Sequence, residues 1–211
     1  MEKTLLSWPQ ATRNIYIAVM IFAIGEIAVK VVDSIVGLIN ITYMNTGGPE
    51  QINLFNFFTY ASHAAIATGY ALYMIWLGRL KFLISREDWI QISRIRIAAI
   101  LLFVSVVLCP LFPPRWLLGL MDISAYIIMF LGFSQLQKST SMSTKAKKGF
   151  SLLYNAMMLN LVSSGLMIIF GWMWRHGFKA AFIIVGILVI VSFCMMINGW
   201  KNVKDSHAPT L

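Results

Sequence analysis

The sequence predicts an all-α, polytopic membrane protein with six transmembrane helices. Three observations lead there. Of 211 residues, 59% are hydrophobic and only 12% are charged, about half the charged share of an ordinary soluble domain. Apolar stretches recur six times, separated by short polar breaks, and a span needs about 20 mostly apolar residues. The Lys and Arg residues also fall on one side. With alternating spans, thirteen lie on the side of the termini, three (Arg115, Arg175, Lys179) on the other, and Lys30 within a span. That asymmetry is a positive-inside signal and predicts cytoplasmic termini in the plasma (cell inner) membrane. It also accounts for the net charge of +9. An ordinary soluble domain, a disordered chain and a nucleic-acid-binding module are excluded. The whole chain, 1–211, reads as a single integral membrane domain.

The first span, 14–44, is overlong at about 46 Å. It is expected to tilt or to project as far as Gly47-Gly48-Pro49. It carries Glu26, Lys30, Asp33, Gly37 and Asn40 at steps of 4, 3, 4 and 3, which places them within about 80° of one helix face. Glu26 and Lys30 stand in the favourable i,i+4 order for an ion pair. No cleavable signal peptide is apparent, so this run reads as a retained span.

The second span, 54–78, presents Asn56, Thr59, Tyr60, His63 and Tyr70 on one face. The third, 95–112, is nearly bare, with Ser105 and Cys109 as its main polar groups, and Pro113-Pro114-Arg115 turns the chain into the fourth. That span, 115–137, aligns Arg115, Asp122 and Tyr126. The fifth, 149–174, aligns Asn160, Ser163 and Ser164, continued by Gly171. The sixth, 179–200, offers little beyond Ser192 and Cys194. Charged groups in hydrocarbon cost about 2.5–3.5 kcal/mol each on insertion scales and therefore face protein or water. The economical arrangement turns the stripes of spans 1, 2, 4 and 5 toward one another and leaves spans 3 and 6 as apolar packing.

Similar passages around Gly78, Gly132 and Gly199 close the even-numbered spans, with a small residue (Ala65, Gly119, Gly186) thirteen positions earlier. They suggest three tandem helical hairpins, as in parallel-repeat transporters. The Arg79–Arg96 stretch is basic and interleaved with apolar residues, which suits the inner leaflet. The Lys138–Lys148 loop, with its Ser and Thr residues, reads as flexible and solvated. Trp8, Trp89, Trp116, Trp172, Trp174 and Trp200 are expected near the interfaces as an aromatic belt. Cys109 and Cys194 read as packing residues.

No Walker A loop, dinucleotide fingerprint, HExxH or GxSxG is present. No catalytic residue, cofactor or metal is implied. The expected function is the binding or conduction of a small polar or ionic solute through an outward-facing cavity. Glu26, Lys30, Asp33, His63, Asp122 and Asn160 are the expected ligand- or ion-binding residues. Two alternatives use the same residues. One is a non-catalytic accessory or scaffold subunit, contacting another copy of this chain or a partner subunit. The other is an intramembrane lipid-modifying enzyme built on His63 and an acid.

Overall fold

The structure is a computed structural model. It describes residues 7–43, 49–109, 115–174 and 180–210, with side-chain surroundings over 7–31, 57–109, 117–166 and 183–210. Six long helices follow in order: α1 (Trp8–Tyr43), α2 (Pro49–Arg79), α3 (Arg86–Leu108), α4 (Arg115–Leu136), α5 (Thr144–Trp174) and α6 (Ala180–Lys204). A 3-10 turn, Leu80–Phe82, joins α2 to α3. Among the described residues there is no strand. Within them, four stretches are long and apolar enough to cross a membrane: Trp8–Val31, Arg86–Leu108, Leu117–Leu136 and Ile183–Lys204. The chain is therefore a helical membrane protein.

The polar breaks fix the helix starts. Ser85 caps α3, its hydroxyl accepting from the Asp88 amide at 3.2 Å, with Glu87 and Asp88 in the first turn against the positive end of the helix. The helix thus begins nine residues before the apolar run at 95. Ser143 accepts from the Ala146 amide at the start of α5 in the same way.

Each helix packs on the next in sequence, and α6 returns to α1. The bundle is a closed ring in which α1 and α4 stand opposite each other. The start of α1, the end of α6, the α2–α3 turn and the α4–α5 loop share one end, here called the terminal end. That end is tied together. The Asp88 carboxylate accepts from Ser85 Oγ at 3.0 Å and from Ser141 Oγ in the α4–α5 loop. The Ser141 carbonyl in turn accepts from the Thr210 amide at 3.1 Å and from Thr210 Oγ1 at 3.3 Å. A loop expected to be solvated is instead held between the start of α3 and the C-terminal tail, and its Met142 is buried.

The glycines of the three similar passages have unlike neighbours. Gly132 lies against Ile95 of α3, and Gly199 against Leu153 and Gly149 of α5, each on its own hairpin partner. Gly78 lies instead against Arg96 of α3, in the next hairpin, while Gly69 makes the close approach to α1, at Phe22.

Candidate functional site

An aromatic layer fills the ring on its terminal side. Phe22 of α1 stacks on Tyr70 of α2 at 4.4 Å between ring centroids and meets Tyr73 edge-on at 5.6 Å. Trp200 of α6 reaches Tyr73 of α2 at 5.7 Å, Phe150 of α5 at 6.3 Å and Phe133 of α4 at 6.5 Å. Helices α2 and α4 are not ring neighbours of α6, so these contacts cross the middle of the bundle. All of these rings are fully buried. Trp200 and Trp8 are thus core residues, not members of an interfacial belt. Their sequence positions sit near the ends of apolar runs, but the helices extend past those runs and draw both indoles inside.

The level just beyond this layer follows from two contacts. Phe22 meets Phe193 of α6 at 6.4 Å, and Ser192 Oγ donates to the Ala156 carbonyl of α5 at 2.8 Å. Phe22, Tyr70, Phe193 and Ala156 therefore share a level. One turn farther from the terminal end stand Glu26 on α1 and Asn160 on α5. A Cβ at Gly25 would lie 3.0 Å from the Ser62 carbonyl, so Ser62 and His63 of α2 stand there too.

Glu26 lies within electrostatic reach of Lys30, Asp122 and His63, with Lys30 the strongest of these. Asp122 lies beside the Ser105 hydroxyl of α3 and within reach of Lys30. Because α1 and α4 are opposite members of the ring, an interaction between Glu26 and Asp122 runs across its interior. Tyr70 and Tyr126 face the same two acids. Glu26, Lys30, His63 and Asp122 are nevertheless all partly exposed. The rings of the aromatic layer below are fully buried, whereas the charged groups at this level keep some exposure.

The His63 ring is held by its own helix, Nδ1 lying 2.8 Å from the Thr59 carbonyl. A carbonyl only accepts, so Nδ1 donates and Nε2 is the atom left for the interior. Asn160 and Ser163 are buried. Ser163 Oγ donates to the Leu159 carbonyl at 2.7 Å, whereas Asn160 Nδ2 has no hydrogen-bond partner among the described residues.

No known protein family, curated protein or solved structure is similar to this chain. The site is therefore argued on its own chemistry.

Of the expected site residues, Glu26, Lys30, His63 and Asp122 come together, and Asn160 stands at the same level. The Asp33 side chain lies outside the described residues, as do those of Asn40, Asn56, Arg115, Trp116, Trp172 and Trp174, the surroundings of Gly37 and Gly171, and the turn at Pro113-Pro114. Tyr60, assigned by spacing to the polar face of α2, points outward and is 68% exposed. Ser105 was the residue undervalued by a reading of α3 as bare: it is buried and touches the α4 acid. A single hydroxyl in an apolar run gives no periodic signal. No group of three His, Cys, Asp or Glu suited to a metal occurs among the described residues. Two acids, one ammonium, one imidazole and a spare amide donor can bind a small cationic or polar solute by charge and hydrogen bonding.

Proposed function

We propose that this chain binds a small polar or ionic solute inside the half of the bundle away from its termini, as a transporter or gated conductor. The observation that carries the reading is the opposition of Glu26 and Asp122 across a level where both remain partly exposed. Charges in a membrane interior persist where they line water or a ligand. Two carboxyl groups outnumber the one lysine at this level, and their oxygens can accept from the donor end of a cationic or polar solute. The aromatic layer beneath supports binding in a state closed toward the termini rather than a permanently open pore. By the positive-inside asymmetry the termini are cytoplasmic in a plasma membrane, and the polar level opens outward.

The test is purification of wild type, Glu26→Gln and Asp122→Asn, followed by reconstitution into liposomes. The variants should remain folded and monodisperse, with altered binding or flux of monovalent cations and small polar solutes. Protein that is inert to all of these, and that co-purifies with a fixed partner subunit, would replace this reading with the scaffold one. Impermeant thiol labelling of intact cells should reach Glu50→Cys at the start of α2 and not Thr140→Cys in the α4–α5 loop; the reverse pattern would invert the topology.

A further inference from the structure

Arg96 occupies an unusual position at the terminal end. From Ile97 to Leu108, α3 carries no charge, so Arg96 marks the edge of its apolar run. Ile97 and Ile100 beside it, and Ile75 on α2, are exposed on the outer surface of the bundle. Its guanidinium is nevertheless seated. Arg96 Nε donates to the Met74 carbonyl of α2 at 3.1 Å. Its Cζ lies only 3.2 Å from where a Cβ on Gly78 would stand. Gly78 is thus a notch that lets the planar group lie flat on α2. Among the described residues Arg96 makes no ion pair and no further hydrogen bond. A guanidinium has five donors, so its outer fork is oriented and unused. Arg79, adjacent to the notch, and Lys81 in the 3-10 turn are exposed at the same corner, and Phe82 is 75% exposed.

We propose that this corner between α2 and α3 binds the phosphate of an anionic phospholipid, gripped by the free fork of Arg96. Guanidinium and phosphate match in a planar, two-point geometry, which an ammonium does not reproduce. Arg79 and Lys81 add positive charge at headgroup depth, and the acyl chains lie along Ile75, Ile97 and Ile100. A free anion would gain the charge contacts but not this apolar wall, so the occupant is a lipid. The site is distinct from the interior polar level and does not depend on its function.

The full chain, in nanodiscs of phosphatidylcholine with increasing phosphatidylglycerol, supplies the test, with thermal unfolding as the readout. Phosphatidylglycerol should raise the wild-type Tm. Arg96→Gln should raise the mole fraction needed for half of that rise about fivefold, the worth of one basic residue at an anionic surface. Gly78→Ala should shift it in the same direction, because the new methyl displaces the guanidinium. Its Tm in pure phosphatidylcholine should stay at or above wild type, since alanine favours the helix. Lys148→Gln, removing an exposed charge on α5 at the same end, should leave the lipid response unchanged. The proposal is overturned if Arg96→Gln responds like wild type or if Lys148→Gln loses as much. A rise from inorganic phosphate in pure phosphatidylcholine that matches the rise from phosphatidylglycerol would also overturn it.

Discussion

The two halves of the ring are built on opposite principles. On the terminal side, Phe22, Tyr70, Tyr73, Phe133, Phe150 and Trp200 meet across the centre and leave none of their rings exposed. From one turn beyond, Glu26, Lys30, His63 and Asp122 come within electrostatic reach of Glu26 or Lys30 yet stay partly exposed. A Cβ at Gly149 would fall 2.6 Å from the Gly199 carbonyl, and one at Gly25 3.0 Å from the Ser62 carbonyl, whereas at Gly119 and Gly165, farther toward the other end, nothing among the described residues lies within 4 Å. Within one membrane protein, the apolar layer is thus wholly buried, while the charged groups beyond it keep some exposure.

This contrast can be broken from its strong side first. Trp200→Ala removes the ring that joins α2, α4 and α5, and should lower unfolding stability in detergent by about 3–5 kcal/mol. A loss under 1 kcal/mol would mean that the layer is not the bundle's support. Next, Gly149→Ala should lose about 1–3 kcal/mol, because the added methyl meets backbone that cannot step aside. Chemical unfolding of the two variants gives both numbers on one scale.

The polar level gives smaller effects. Glu26→Gln and Lys30→Met should each cost about 1–2 kcal/mol, less than a fully buried pair because both groups keep some exposure. The double variant should cost less than the sum, and strict additivity in the cycle would show that the two side chains are independent. The smallest change has the opposite sign. Gly119→Ala and Gly165→Ala should raise stability by up to about 1 kcal/mol through helix propensity alone. Destabilisation at either site would show that this half is as tightly packed as the other.

The legible and illegible parts of the molecule divide along the same line. Six helices were readable because each long apolar run sits between polar breaks. The Glu26–Lys30 stripe and the Asp122–Tyr126 face were readable because polar residues at helical spacing in an apolar run stand out. The aromatic layer was not. Phe22, Phe133 and Phe193 differ from dozens of other apolar residues only in the direction they point, which periodicity cannot resolve when every face is hydrophobic. Tyr70 was grouped with polar residues on account of its hydroxyl, but its ring is what it packs. Ring order was illegible too, since loop lengths bring sequential helices together without stating that α6 closes on α1. The held α4–α5 loop escaped detection because its partners, Asp88 and Thr210, lie far away in sequence.

Ring closure has a consequence for biogenesis. During synthesis α1 is made before α2 to α6, and the face bearing Glu26 waits for them. Asp122, its counterpart across the ring, arrives only with α4. In that interval the helix must be tolerated by lipid on its own, and the i,i+4 order of Glu26 and Lys30 gives it an internal counter-ion. The pairing thus bears on insertion of α1 as well as on the finished interior. Exchanging the two residues would keep the composition of the finished interior while weakening that early pairing, so its first symptom should be a lower yield of inserted chain rather than a less stable mature protein.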